Sequence, residues 1–341
     1  MTKITDELGV VVIGRNEGER LKRCISSIQL HFNGPIIYVD SGSTDGSVEY
    51  CDEIGLEAID LDMSTPFTMS RARNAGFKRL IDKHVHCKYV QFVDGDCELS
   101  TEWLATSYHF IKKQIRISSV CGILQEKFPD KNIYHRLMNM ELKGHSGEII
   151  ACGGIAMFKI ETFEKVGGFN ESLIAGEEAD LCLRIKSTGE KVWRLDVSMG
   201  THDIDMHKFS QWWTRMKRTG HAYAQGFDMY GKGVYKHKQK QVLSSLIYGF
   251  IVPFFFIFSL SMLEGQEISI TILILTIIIY IRVFLSSLYA RLKLRDSTFN
   301  SLLYATAIII GKFPEVLGIF IYYMNNMFGK TSLIMEYRDD K

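Results

Sequence analysis

Two long apolar stretches near the carboxyl end constrain this chain more than any other feature. Residues 242–263 run for 22 positions without a charge, and residues 268–290 follow with Arg282 as their one charged side chain. About 20 apolar residues are enough to cross the ~30 Å hydrocarbon core of a bilayer as a helix. Two such stretches in succession, joined by the acidic turn EGQE, read as a pair of transmembrane helices rather than buried core helices. The flanks orient the pair. Residues 208–240 carry eight Lys or Arg against one acid, Asp228, and RLKLR follows the second stretch at 291–295. Basic flanks stay in the cytoplasm, so EGQE is expected outside. A third apolar segment, 299–328, is interrupted by Lys312, Pro314 and Glu315. We read it as an interfacial helix in preference to a third span.

The remaining chain is long enough for a substantial folded domain. A formal charge of +1 argues against a nucleic-acid binder. Seven scattered cysteines, odd in number and without a C-x-x-C pair, fit a reducing compartment. His84, His86 and Cys87 form an H-x-H-C cluster with no second pair at zinc spacing, which reads as a polar loop. At the amino end, GVVVI (9–13) is too short for a signal-peptide core and runs straight into RNEGER, so a first strand is expected there.

Strand and helix patterns then alternate. VVVI (10–13), PIIYVD (35–40), EAIDL (57–61) and YVQFV (89–93) read as strands. Between them, Leu21, Cys24, Ile25 and Ile28 recur at helical spacing, and Ser70–Leu80 has a helical pattern. This alternation predicts an α/β fold with a Rossmann-like, mostly parallel sheet. Ligands of such sheets bind beyond the carboxyl ends of the strands. There the chain places GRNE, DSGSTDGS and DGD, three polar loops containing glycine. None matches a Walker A loop or a G-x-G-x-x-G fingerprint, which removes support for a nucleoside-triphosphatase or a standard dinucleotide site.

The last loop is the most informative. Asp94 and Asp96 close a buried-looking strand with only Gly95 between them. Turn chemistry explains an isolated D-G. Two carboxylates there also suit Mg²⁺ or Mn²⁺, which takes one or two carboxylates and completes its shell with phosphate oxygens and water. A cation so held neutralises a diphosphate as it departs.

Taken in order, VVIGRNE, YVDSGSTDGS, RARNAG, FVDGD and GEEADLCLR resemble the family 2 glycosyltransferases with the GT-A fold. The resemblance spans roughly residues 8–225. It implies an inverting, metal-dependent transfer of a sugar from a nucleotide-sugar, with Mn²⁺ or Mg²⁺ as cofactor. By the same resemblance Gly14, Arg15 and Glu17 lie in the first nucleotide loop, Asp40 reads the base, and Arg73 neighbours the nucleotide phosphates. Asp94 then sits near ribose or metal, Asp96 binds the metal more directly, and His202 lies near metal or diphosphate. A structural role for His202 is an equal alternative.

Arg71 reads as an ordinary solvated charge, and Ser43, Thr44 and Asp45 as a helix start. The segment 153–171 is similar to the family's acceptor side, where glycines let backbone approach a sugar. The family carries Glu-Asp where this chain has Glu177-Glu178. Glu178 is expected as general base, with Glu177 the alternative, since acids in a first helical turn are also favoured by the helix dipole. Asp180 reads as structural.

The organisation expected is a GT-A domain at 1–225, a basic linker at 226–241 and a membrane region at 242–341. The implied partners are a nucleotide-sugar donor, a glycan or lipid-linked acceptor and the bilayer, with no nucleic acid. The expected location is the inner cell membrane, catalytic domain in the cytoplasm, in surface polysaccharide assembly. A polyprenyl-phosphate glycosyltransferase is the alternative within the class. A nucleotidyltransferase or a non-catalytic nucleotide-sugar-binding membrane protein stands outside it.

Overall fold

A computed structural model describes residues 4–261 and 267–337. Met262, Leu263 and most of the EGQE turn lie outside the described residues. The chain forms two compact units. One holds the residues up to Pro129 together with Glu141–Asp205; the other holds Asp130–Met140 and the chain from Met206 onward. That division falls before the boundary at 225 expected from the sequence, because the helix Phe209–Tyr230 packs with the apolar helices that follow it.

The first unit is built on a nine-stranded sheet. Its strands are β1 (Leu8–Gly14), β2 (Ile36–Asp40), β3 (Glu57–Asp60), β4 (Tyr89–Asp94), β5 (Cys97–Leu99), β6 (Ile117–Glu126), β7 (Gly147–Ile149), β8 (Ala156–Lys159) and β9 (Lys191–His202). The order is β3-β2-β1-β4-β8-β6-β9-β5, with β7 also paired to β9. Strands β3, β2, β1 and β4 are mutually parallel, whereas β8 runs antiparallel to both its neighbours. Val10, Val11 and Val12 in β1 and Val90, Phe92 and Val93 in β4 are fully buried. Central parallel strands are covered on both faces, which is why they read as unbroken apolar runs. Gln91, the polar exception in β4, accepts a hydrogen bond from the Trp103 indole at 3.0 Å.

Register gathers the polar loops. Gly14 pairs with Asp40 across β1 and β2, and Ile13 pairs with Asp94 across β1 and β4. The carboxyl ends of three strands therefore lie abreast, as the sequence predicted. The helix Met69–Lys83 seats itself on these strands through Gly76, where an added Cβ would lie 2.4 Å from Val11 and 2.8 Å from Val39. Thr68 caps that helix by accepting from the Arg71 amide at 3.1 Å.

The second unit contains three helices long and apolar enough to cross a membrane: Gln239–Ser261, Glu267–Lys293 and Thr298–Met327.

Candidate active site

The D-G-D turn divides two strands that leave in different directions. Asp94 ends β4, and two residues later β5 pairs antiparallel with the end of β9, setting Cys97 opposite His202. The glycine between sits in a tight place: a Cβ on Gly95 would press 3.1 Å from the Ile13 carbonyl oxygen and 3.2 Å from the Glu17 side chain. The backbone then crosses to β9, where the Asp203 amide donates to the Asp96 carbonyl at 3.0 Å.

Consequently the two aspartates face different partners. The Asp96 carboxylate lies 3.3 Å from His202 Nε2. Asp96, Cys97 and His202 are the group of side chains, among the described residues, close enough together to hold a metal ion. Octahedral ligands about 2.1 Å from an ion stand about 3 Å apart, so the Asp96–His202 spacing fits one. Burial, then the Asp96 and Asp94 charges, push the pKa of the Cys97 thiol well up, and it donates to Asp96 Oδ1 at 3.2 Å. His202 Nδ1 faces Glu126 Oε2 at 3.3 Å, while Glu126 Oε1 accepts from the Phe128 amide at 3.4 Å. Glu126 was not foreseen; it arrives through the β6–β9 register, which sets it beside His202. His84 and His86 make a ring contact, centroids 6.0 Å apart, outside the metal-competent group.

Asp94 turns the other way, toward Arg73. This arginine is 1% exposed on the buried face of the helix Met69–Lys83. Its guanidinium donates to Asp94 Oδ1 and to Glu177 Oε1, each at 2.8 Å, and lies 3.6 Å from Glu178. Burial alone would disfavour the charge, but the carboxylates of Asp94, Glu178 and Glu177 more than offset it. Gly154 closes over the cluster, since a Cβ there would fall 2.2 Å from Asp94 Oδ2 and 2.7 Å from Arg73. A larger residue there would displace the Asp94 carboxylate or the Arg73 guanidinium.

Gly176, at φ 83°, turns the chain into the helix Glu177–Ser187. The two acids at its start are not equivalent. Glu177 is fully enclosed and locked to Arg73, whereas the Glu178 side chain remains 21% exposed. Desolvation, then the Glu177 charge, raise the Glu178 carboxyl to about 8 against the opposing pull of Arg73. Glu177, the alternative base expected from the sequence, is thus half of a buried ion pair. Asp180 is structural as expected, bound by Arg184 four residues on.

The loops after β1 and β2 are braced from within. Asp40 accepts from the Tyr38 hydroxyl at 2.8 Å, the Gly42 amide at 2.9 Å, and the Ser43 amide and hydroxyl at 2.7 and 2.5 Å. Those four bonds fill the acceptor sites of a carboxylate, so its observed work is to shape loop 41–44. Asn16 joins that loop to the first one, donating its amide to Ser43 at 2.9 Å and accepting from Thr44 at 2.8 Å. Glu17 pairs with Arg20 at 2.9 Å beneath Gly14 and Gly95, and the Arg15 guanidinium lies over Phe67 at 4.6 Å. Asp45 accepts from Ser47 at the start of the next helix, and Arg71 holds the carbonyls of Asp62, Thr65 and Pro66.

Residues 9–167 match the sequence model of the glycosyl transferase family 2. Over that stretch the chain is similar to the family 2 glycosyltransferases. Residues 131–208 also match a model described as the N-terminal domain of galactosyltransferase. The chain is 26% identical over 239 residues to glycosyltransferase GlyA of Streptococcus pneumoniae serotype 4, a match covering 62% of this chain and 32% of that one. The chain thus spans about a third of the length of this relative. Among solved structures it resembles the mannosyltransferase PcManGT of Pyrobaculum calidifontis, in complex with GDP-Man and Mn²⁺. There the TM-score is 0.52 at 16% identity, over 95% of this chain and 88% of the other. It also aligns with TarS 1-349 of S. aureus, with a TM-score of 0.48 at 14% identity over 95% and 92% of the two chains. The likeness in structure is one of fold, the GT-A fold.

Proposed function

We propose that this glycosyltransferase moves one sugar from a nucleotide-sugar donor to a hydroxyl of a glycan or lipid-linked acceptor, with inversion and with a divalent cation. The observation that carries the reading is the pairing of Asp96 with His202 on one side of the D-G-D turn, with Glu178 beside the Arg73–Asp94 pair on the other. An oxygen–nitrogen pair at this spacing suits Mn²⁺ or Mg²⁺, and the fold relative's complex with GDP-Man and Mn²⁺ supports the same choice. Bound there, the cation would offset the charge of the departing diphosphate.

Glu178 is the base in this reading. Its carboxylate takes the acceptor hydroxyl proton; that oxygen attacks the anomeric carbon; the bond to the diphosphate breaks and its electron pair leaves with the nucleotide. A base works best when its pKa lies near the working pH, which the raised Glu178 value provides. Arg73 holds Asp94 and Glu177 in place and presents a buried positive charge beside the Glu178 carboxylate. Loops 14–17 and 41–44, braced by Asp40 and Asn16, receive the nucleotide.

The apolar helices and basic flanks favour a lipid-linked acceptor at the cytoplasmic face of the inner membrane, in assembly of a surface polysaccharide. The test is a thermal-shift panel of nucleoside diphosphates with and without Mn²⁺, followed by product analysis with the donor of the preferred base. Stabilisation by a nucleoside diphosphate that requires Mn²⁺ supports the reading. Turnover that persists in EDTA would sink the metal part of it.

A further inference from the structure

We infer that the helix Thr298–Met327 lies in the plane of the membrane surface, paired with the helix Phe209–Tyr230, and does not form a third span. Length and composition qualify it to cross, so the argument rests on what covers it. Gly220 and Gly318 bring the two helices to backbone contact. A Cβ on Gly220 would lie 1.9 Å from the Glu315 carbonyl oxygen, and one on Gly318 would lie 1.9 Å from that of Lys217. The contact continues to Tyr322, whose hydroxyl donates to Asp228 at 2.9 Å.

The partner helix is not a membrane helix. It carries Arg215, Lys217, Arg218 and Asp228, all in part exposed. A crossing by residues 298–327 would drag these charges into hydrocarbon, which charged side chains facing lipid do not tolerate.

Two further features agree. After the helix, residues 331–337 return without secondary structure, Ser332 bonding His221 at 2.8 Å and Tyr337 lying under Arg218 at 4.9 Å. Irregular backbone of this kind cannot face lipid at membrane depth. The helix Thr298–Met327 also meets the first apolar helix only over its basic-flank half. Glu315 accepts from Ser245 at 2.5 Å and Ile319 packs with Val242, while the main contacts stop at Ile251 and do not extend along Val252–Ser261. The same helix also packs with the second apolar helix, Glu267–Lys293, where Arg291 lies over Tyr304 at 4.6 Å near that helix's basic end.

The uncovered side completes the picture. Leu302, Ile310, Phe313, Leu317, Phe320 and Met324 are exposed at helical spacing along one face. That apolar stripe, continuous with the apolar hairpin, suits the boundary between headgroups and acyl chains. The basic residues of the partner helix would then lie on the water side, where anionic headgroups attract them.

This inference rests on the reading that residues 242–290 form a spanning hairpin with cytoplasmic ends, and the test separates the two. Single cysteines replace Lys236, Glu267 and Leu333 in the full chain in cells, for labelling with a membrane-impermeant maleimide; the seven native cysteines are buried. The hairpin requires Glu267→Cys to label from outside and Lys236→Cys only after lysis. The in-plane helix requires Leu333→Cys to behave like Lys236→Cys. Outside labelling of Leu333→Cys with a correct hairpin overturns the inference alone; a reversed hairpin overturns both. Spin labels at Leu302, Ile310, Leu317 and Met324 in liposomes give the second readout. One common shallow depth supports the inference, and a maximum at Ile310 and Leu317 with shallow ends overturns it. Efficient cross-linking between copies through Leu317→Cys would also overturn it, because a second copy would then cover the stripe.

Discussion

Asp96 and Asp94 stand two residues apart, yet their carboxylates face different partners. Around Asp96 lie a second buried carboxylate, Glu126, and an imidazole between them. Around Asp94 a guanidinium already sits among three carboxylates, with the Gly154 backbone closing the space. The first end of the turn suits an added cation. The second has its cation built into the chain and leaves one carboxylate, Glu178, uncomfortable enough to hold a proton. The difference teaches that two carboxylates one residue apart in sequence can take quite different partners in the fold.

The sharpest way to break this division is to neutralise each aspartate in turn. Asp96→Asn should abolish stabilisation by Mn²⁺ and lower turnover by at least ~10²–10³-fold, on the scale of losing one electrostatic stabiliser of a leaving group. Asp94→Asn should retain the Mn²⁺-dependent thermal shift. If both variants lose it, the two ends are one metal site. Next in size is Glu178→Gln, expected to slow transfer ~10²–10⁴-fold while donor still protects the protein against heating. Undiminished transfer by this variant would leave the reaction without its base.

Glu126→Gln should be milder. Partners of a metal-bound histidine commonly contribute ~10–100-fold in affinity, so manganese titration followed by electron paramagnetic resonance should show weakening of that order. Unchanged affinity would make Glu126 a mere packing residue.

The smallest effects concern pH and the neighbouring acid. A base must be deprotonated, so kcat/KM should climb with pH up to about 8 and level above it. Glu177→Gln removes a like charge beside Glu178 and should move that rise to lower pH. It also weakens a charged hydrogen bond to Arg73, costing about 2 kcal/mol of stability. Linkage gives a matching sign. A carboxyl whose folded pKa is raised from 4.5 to about 8 stabilises the fold fully at low pH and loses that contribution as pH rises through this window. Melting of the wild type should therefore decline relative to Glu178→Gln between those values.

Local signals made much of this legible in advance. The apolar runs of β1, β2 and β4 and the polar loops after them are features of contiguous residues, and parallel pairing follows from their alternation with helices. What lay hidden depends on distant pairing. Glu126 reaches His202 across 76 residues of chain through one strand register. Arg73 reaches Glu177 across 104 residues, a buried ion pair that no local pattern announces. The antiparallel insertion of β8 beside β4 was likewise invisible, since nothing within AMFK states its neighbour. Asp40 sits where expected, but its four hydrogen bonds to its own surroundings need the folded loop to be seen.

Gly154 has a consequence for how sequence variants of this enzyme are judged. Any glycine codon becomes an alanine codon by a single base change, and that exchange adds one methyl group without altering charge or appreciably altering hydropathy. At position 154 the methyl would occupy the space of an Asp94 oxygen and crowd the Arg73 guanidinium. A mutation that scoring by chemical similarity would pass as conservative is thus expected to strike the carboxylate cluster directly, and natural isolates carrying it should be defective in transfer while still making the protein.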